Sequence, residues 1–406
     1  MRAVVLVMDS FGLGASADAA QFCDSGANTF LHIAQACAEG LCEDGRSGPL
    51  HLPNLQLMGL VDAAEASCGQ RARMREEFAP EDAAWGFAIE QSQAKDTTSG
   101  HWEMMGQPVL MPWGYFADKH DSFPPPLVDE LCYQIGMAGI LGNCHASGTE
   151  IINRLGAQHL ATGMPICYTS ADSVFQIAYH EDIWSARQAD QACKIARRIL
   201  DKYRIARVIA RPFCGNAADG FIRTKNRRDY SMPPQGDTLL DALKQSHGEV
   251  IGVGKISDIF AAQGITQSLP AYGIDGLMTT TQRAYLSAGE RSLIFTNLVD
   301  FDTEYGHRRN VNGYARALEQ FDARLGELLA VLEPDDVLMI SADHGCDPTF
   351  HGSDHTREHV PLLLRGPVPE GFIGGRQSFA DIGQTLASLF ELAPLATGIS
   401  LAGAAV

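Results

Sequence analysis

The chain opens on an uninterrupted apolar run, RAVVLVM at 2–8, that stops at Asp9. Comparable short runs bounded by turn residues recur at 207–210, 249–253, 293–299, 337–341 and 360–364. Runs of this length without a polar alternate face are the pattern of strands buried on both sides, as in parallel sheets covered by helices. Between the runs the period changes. Over 312–332, Tyr314, Leu318, Phe321, Leu325, Leu328, Leu329 and Leu332 recur at helical spacing, and 238–246 and 380–392 predict two further helices. Alternation of the two patterns predicts an α/β protein with a largely parallel central sheet.

The chemically suggestive residues fall just after the runs. Asp9 follows 2–8, Asp302 follows 293–299, and Asp343 with His344 follows 337–341; His307 and His355 stand close by in sequence. Open α/β sheets place ligand sites at the carboxyl ends of their strands, so three separate strands deliver ligands to one edge. Taken singly, each Asp also fits a cap and each His a surface position; their joint placement after strand ends is what points to a site. A mixed carboxylate and imidazole set suits Mn²⁺, Zn²⁺ or Fe, and the absence of thiolates argues against a structural zinc. A set of this size suits two divalent ions, and two ions beside an activated hydroxyl make a site for moving phosphoryl groups. KDTTSGHWEMMG at 95–106 offers the hydroxyls of Thr97, Thr98 and Ser99. From spacing alone that phrase fits a capping turn before a helix as well as it fits a nucleophile.

The middle of the chain behaves differently. A Pro- and aromatic-rich stretch at 108–125 and a polar, Pro-containing stretch at 225–236 bracket a segment with its own strands and helices and no Asp/His pairing. This organisation predicts a metal-binding core from 1–110 and 234–406, with 111–233 inserted as a smaller α/β cap. Within the insert, YTSADSV, ARVIARPF and FIRTKNRRDY put hydroxyls and arginines near loop ends. Guanidinium forks match phosphate oxygens, although the same arginines also read as ordinary surface charge. Gly12, Gly14 and Ala17 form G-x-G-x-x-A after a strand, but no second strand follows to place an acidic residue on a ribose, so a dinucleotide site is excluded.

Bulk properties narrow the partners. The 406 residues carry 31 basic and 49 acidic side chains, a net charge of −18. That field disfavours nucleic acid and anionic membranes, and a phosphorylated small molecule has to be met by metals or a few local arginines and lysines. No segment approaches a membrane span of about 18 apolar residues, and the N-terminus lacks an export signal, so a cytoplasmic location is expected. The ten cysteines form no C-x-x-C pair and are expected to be free thiols.

Taken together, VMDSFGLGASADAAQF, LPNLQLMGL, KDTTSGHWEMMG, ASGTEI, YTSADSVFQIA, ARVIARPF, GKISDIF, NLVDFDTEYGHRR, ADHGCDP, DHTREHVPLL and FADIGQTLA resemble the phosphopentomutase family of the alkaline-phosphatase superfamily. They run over nearly the whole chain in the family's order. The resemblance implies an alkaline-phosphatase-like core with an inserted cap. It also implies interconversion of α-D-ribose 1-phosphate and D-ribose 5-phosphate, and of the 2-deoxy pair, in nucleoside salvage. By motif, Asp9, Asp343 and His344 look like ligands of one ion, and Asp302, His307 and His355 like ligands of the other, the family's metal being typically Mn²⁺. Thr97 matches the phosphorylated threonine, primed by a sugar bisphosphate such as glucose 1,6-bisphosphate. Ser170, Asp172, Arg207, Ile209 and Arg223 match positions that hold the sugar phosphate. Cys346 stands where related sequences often have another small polar residue, and it matches no role. The competing readings are a metal-dependent phosphatase or phosphodiesterase on the same core and a cofactor-independent phosphoglycerate mutase. The latter usually has a longer chain and a serine near the first Asp, as Ser10 is here. A non-enzymatic metal-bound scaffold would require a lost ligand or a lost Thr97, and neither is missing. The partners expected are small pentose phosphates, with the oligomeric state left open.

Overall fold

The computed structural model describes residues 1–170 and 173–403. The chain forms two compact units, one from 1–111 and 234–406, the other from 112–233. In chain order the strands of the first unit begin with β1 (Arg2–Val7) and β2 (Ala84–Ala88). The second unit holds β3 (Leu141–His145), β4 (Ile166–Thr169), β5 (Val174–His180), β6 (Arg207–Asn216), β7 (Gly220–Arg223) and β8 (Arg228–Ser231). The first unit then resumes with β9 (Glu249–Val253), β10 (Gln267–Leu269), β11 (Ser292–Asn297), β12 (Val337–Ser341), β13 (Val360–Arg365) and β14 (Gly371–Arg376).

The first unit's sheet has the order β10-β9-β11-β1-β12-β13-β2-β14. From β10 to β12 every pairing is parallel, whereas β13 is antiparallel to both β12 and β2. The sheet is therefore largely parallel with a mixed far edge. β1 sits between β11 and β12, and its end residue Val7 is level with Asn297 on one side and Ser341 on the other. Ala3 to Val7 are wholly buried, as are all of β11 and β12, which is why these strands read as unbroken apolar runs.

The predicted helix at 312–332 is observed at Val311–Leu329. Asn310 caps it by accepting the Gly313 N–H, and Tyr314, Leu318, Phe321, Leu325 and Leu328 form its buried stripe. It stops short of Leu332 because Pro334 disfavours helical backbone just before it. The other two predicted helices are Leu239–Gln245 and Ala380–Leu389.

In the second unit the sheet order is β3-β4-β5-β6-β7, with β8 also on β6. One face packs on helices Pro125–Ile135 and Ala186–Leu200 through Phe123, Phe175, Ile177, Val208 and Ala210. The other face meets helix Gly148–Thr162 through Ile151, Ile152, Tyr168, Ala178, Phe213 and Phe221. β6 runs six residues past the predicted 207–210: its later residues pair with β5 and β7, and the apolar run marks only part of the strand.

All ten cysteines are free. Among the described residues no helix is long and apolar enough to cross a membrane.

Candidate metal centre

The level ends of β1, β11 and β12 bring the predicted ligands together. After β1, Ser10 takes a left-handed backbone, φ 72°. That turn aims its N–H at Asp343 Oδ1, 3.0 Å away, so the first carboxylate is followed by a donor that orients the third. Asp302 and His307 lie on a single widened helical turn over Phe301–Gly306 and its cap. His355 returns on the segment between β12 and β13, where Lys95 Nζ donates to its carbonyl (2.6 Å) and to Asp24 (2.9 Å). One ligand atom from each of Asp302, His307 and His355 falls within a 4.8 Å cluster, and so does one from each of Asp9, Asp302 and His344. Asp302 thus joins both groups. Asp343 Oδ2 and Asp9 Oδ1 each lie 3.5 Å from His344 Nε2.

The donor chemistry fits divalent cations. Asp9 Oδ1, Asp302 Oδ1 and Asp343 Oδ2 are buried carboxylate oxygens with no hydrogen-bond partner, an arrangement that is costly unless a cation meets them. The imidazoles point the same way. Nδ1 of His307, His344 and His355 faces the carbonyl of Ser353 (2.7 Å), Gly345 (3.1 Å) and Lys95 (2.8 Å) respectively. Each Nδ1 therefore carries the proton and each Nε2 presents a lone pair, the arrangement in which a metal-bound histidine is held. His307 Nε2 and His355 Nε2 face each other at 3.1 Å, so both converge on one point where a cation could bind.

The ionisation pattern agrees. Burial, then the like charges of Asp343 and Asp302, hold the Asp9 carboxyl well above its ordinary value. Burial pushes His344 down to about 4, which keeps it a neutral imidazole. His355 departs from this pattern: burial opposes its protonation, but the carboxylates Asp302 and Asp354 overcome it and raise that group to about 9, so its Nε2 offers a lone pair only once a cation replaces the proton.

Thr97 is the first residue of helix Thr97–Met104. The structure joins the two readings of its phrase: Asp96 and Ser99 form a reciprocal capping box, and Thr97 Oγ1 stands 3.4 Å from His344 Nε2. The helix is pressed onto the ligand strand, since a Cβ on Gly100 would lie 2.2 Å from the Asp343 carbonyl oxygen. His101 is fully buried beneath it. Its Nδ1 faces the Thr97 carbonyl at 2.8 Å, and its Nε2 lies 3.2 Å from Asn297 Nδ2.

In the second unit, Arg207 and Ile209 lie on one face of β6, and Arg223 ends β7. Ile209 is buried, with its backbone level with Gln176 and Asp229. Ser170 follows β4. Asp172 lies outside the described residues. A surface cavity lined by Tyr179, Trp184, Asp190, Lys225, Arg228 and Tyr230, among others, contains none of these residues and collects no metal-type cluster.

Several supporting residues escaped the sequence reading. Asn297 donates to Asp9 Oδ2 at 2.8 Å, and its place at the end of β11 was the available signal. Glu358 is buried and accepts from Gly14 N–H, Thr29 N–H and the Thr29 and Thr356 hydroxyls. It also occupies the space a Cβ on Gly12 would need, so the glycines of the false dinucleotide phrase make room for a carboxylate. Arg357 is buried between Asp18 and Glu90. Of the other histidines in this part of the chain, His359 binds Ser67 and stacks on Phe87, whereas His351 is exposed. Cys346 lies outside both ligand groups; its sulfur takes a hydrogen bond from Arg309 at 3.2 Å.

A model of the metalloenzyme superfamily matches residues 1–394. The chain is 54% identical over 406 residues to a phosphopentomutase of Hahella chejuensis, with 98% of each chain covered. It is 56% identical over 403 residues to that of Legionella pneumophila and 53% identical over 400 residues to that of Shewanella loihica. In both cases 98% of this chain and 99% of the relative are covered. With this identity along the whole chain and a metal-binding ligand set at the strand ends, the chain belongs to the phosphopentomutase family, isomerases of the alkaline-phosphatase superfamily.

Proposed function

We propose that the enzyme interconverts α-D-ribose 1-phosphate and D-ribose 5-phosphate, and the 2-deoxyribose pair, through a phosphothreonine at Thr97 and a pentose 1,5-bisphosphate. The observation that carries this reading is the Thr97 hydroxyl, 3.4 Å from His344 Nε2 at the first turn of a capped helix. A phosphoryl group on that oxygen would meet the positive end of the helix.

Asp9, Asp343 and His344 would hold one divalent ion and Asp302, His307 and His355 the other, with Mn²⁺ the ion proposed. When bound, such ions neutralise the charge that builds on the transferring phosphoryl oxygens. The chain's own residues supply the rest. Asn297 and the Ser10 N–H fix the Asp9 and Asp343 carboxylates, and the cap of helix Thr97–Met104 fixes the acceptor oxygen. In the forward half, a sugar hydroxyl of the monophosphate attacks the phosphoryl on Thr97; the new P–O bond forms as the P–Oγ1 bond breaks, and the hydroxyl's proton is released. In the second half, Oγ1 attacks the other phosphate of the bisphosphate, and the freed sugar oxygen takes up a proton. The net reaction is isomerisation without water. Residues 111–233 would bind the substrate through Ser170, Asp172, Arg207, Ile209 and Arg223.

A sugar bisphosphate such as glucose 1,6-bisphosphate would prime Thr97. The setting proposed is cytoplasmic nucleoside salvage, with pentose phosphates as partners and neither nucleic acid nor membrane. The test is an assay on ribose 1-phosphate with and without glucose 1,6-bisphosphate that follows product and inorganic phosphate together. Ribose 5-phosphate without inorganic phosphate is the expected result. Inorganic phosphate as the main product would replace the mutase with a metal-dependent phosphatase.

A further inference from the structure

One imidazole beside the metal centre is bonded on both sides of its ring and is not a ligand. His101 is wholly buried on helix Thr97–Met104 and belongs to neither ligand group. Its two nitrogens meet partners of opposite kind. Nδ1 faces the Thr97 carbonyl at 2.8 Å and lies 3.2 Å from Asp343 Oδ2. Both of these oxygens are acceptors, so Nδ1 carries the proton. Nε2 stands 3.2 Å from the Asn297 amide nitrogen, which also donates to Asp9 Oδ2 at 2.8 Å. That nitrogen has two hydrogens, one for each neighbour, so Nε2 accepts. The neutral ring with its proton on Nδ1 satisfies both sides at once.

The ring therefore closes a chain of bonds that runs from the Thr97 backbone through Asn297 to Asp9, with Asp343 beside it. Thr97 bears the proposed acceptor oxygen, and Asp9 and Asp343 are two of the three ligands proposed for the first ion. Packing leaves this chain little slack. Thr98 to Met104 are all buried. Trp102, next along the helix, donates from its indole to the Ile259 carbonyl at 3.0 Å. Phe295 of β11 lies against the His101 ring, with centroids 5.8 Å apart. A phenylalanine at 101 would fill the same space, and burying ring nitrogens is costly unless they are bonded. Shape alone does not call for a histidine here; the two bonds do.

We infer that His101 is a positioning residue that ties the Thr97 turn to the ligands of the first ion, so that filling the ion site and fixing the acceptor oxygen are one event. An ion on Asp9 and Asp343 would hold those carboxylates still. Asn297 and His101 pass that order to the Thr97 carbonyl, and Oγ1 of the same residue stands 3.4 Å from His344 Nε2. Misplacing a reacting atom by about 1 Å can cost about 100-fold in rate. A loosened turn would thus slow transfer and leave substrate binding alone. The part in transfer rests on the phosphothreonine reading, but the coupling of ion to turn stands on the bonds themselves.

The test compares the full chain with three variants. His101→Phe keeps the ring and loses both bonds. His101→Asn keeps an N–H donor where Nδ1 stands, and His101→Gln reaches the place of Nε2 instead. Hydrogen exchange of peptide 95–104 is followed by mass spectrometry with Mn²⁺ and with chelator. In the parent, Mn²⁺ should slow that exchange several-fold. The slowing should vanish in His101→Phe and His101→Gln and return in His101→Asn. Mn²⁺ affinity should fall by no more than the same factor, because coupling between two sites is reciprocal. At saturating Mn²⁺, kcat should fall about 100-fold in His101→Phe and His101→Gln and stay within about tenfold of the parent in His101→Asn. KM for D-ribose 5-phosphate should hold in all three. Should His101→Phe fail to fold, the contrast between His101→Asn and His101→Gln decides. The tie is overturned if Mn²⁺ leaves exchange in the parent unchanged. It is also overturned if the slowing or the parent's kcat survives in His101→Gln, or if His101→Asn is as impaired as His101→Gln. If the parent isomerises through a labelled Thr97 and His101→Gln behaves like it, the tie fails and the phosphothreonine reading stands. If the exchange pattern appears but a labelled sugar bisphosphate leaves Thr97 unlabelled, the tie stands and that reading fails.

Discussion

The metal centre of the first unit and the arginine face of the second hold like charges together by different means. In the first, Asp9, Asp302 and Asp343 converge in a buried place, where Asn297 holds Asp9 and the Ser10 N–H holds Asp343. In the second, Arg207, Arg211 and Arg227 act on one carboxylate, Asp229, and Arg223 is exposed at a strand end. Buried carboxylates at the level ends of three strands have almost no freedom, which suits ions and reacting oxygens that must be placed to a fraction of an ångström. Long guanidinium side chains on a sheet face can follow a ligand that changes identity midway through a reaction. On the proposed function, chemistry and holding would fall to different kinds of structure, and each assignment can be broken separately.

The largest break is Thr97→Ala. Loss of the oxygen proposed to carry the phosphoryl group should lower turnover by at least about four orders of magnitude. Metal affinity should stay unchanged, because Thr97 belongs to neither ligand group. Single-turnover transfer from a labelled bisphosphate to the protein checks the point, and residual labelling at the parent's rate would move the nucleophile elsewhere.

The next break, Asn297→Ala, tests whether the rigidity of the centre matters apart from its ligands. Asn297 supports Asp9 and faces His101, and removing such a support typically costs about 10- to 100-fold in metal affinity or activity. Competition with a fluorescent chelator should show that loss without a change in KM at saturating metal. Arg207→Met probes the other side. Losing one charged hydrogen bond should raise KM for ribose 5-phosphate about tenfold, with metal affinity and kcat near the parent's. If Asn297→Ala moved KM and Arg207→Met moved metal affinity, the division between the two regions would be wrong.

The sequence made one of these regions far more legible than the other. Asp9, Asp302 and Asp343 each end a buried apolar run, and that local pattern placed them on one sheet edge because parallel strands end together. Asn297, Glu358 and Arg357 follow no such rule. Asn297 reads as the last residue of a strand, and the role of Glu358 depends on glycines 344 and 346 positions away at Gly14 and Gly12, which touch it only after folding. In the second unit β6 was legible only where it is apolar, so Arg211 fell outside the predicted strand, although strand alternation places it on the face of Arg207 and Ile209. The direction of β13 was also hidden, because an apolar run carries no record of which way its neighbour runs.

The smallest effect tests whether the first unit's buried carboxylates need fixed partners even away from the metal ligands. Asp347 accepts from the Asn28 and Thr349 N–H groups and pairs with His32 at 2.5 Å. The hydrogen bond to Asp347 raises His32 above its ordinary 6.5, against the opposing effect of burial. Burial works against the Asp347 carboxylate too, but His32 and the N–H donors hold its pKa below the ordinary 3.8. A raised histidine contributes stability that is complete below 6.5 and disappears as pH climbs through its folded value. A depressed carboxylate contributes stability that is present above 3.8 and disappears as pH falls through its folded value. The pair is therefore worth most between those two values. His32→Gln should lower Tm by a few degrees at about pH 5, in line with a partly exposed ion pair of roughly 1 kcal/mol, and by progressively less toward pH 9. Thermal melts of both proteins across that range in one buffer series check it. A Tm difference that is flat with pH would show that Asp347 is satisfied by its N–H donors alone. The rigidity of this unit would then come from backbone geometry rather than from paired charge.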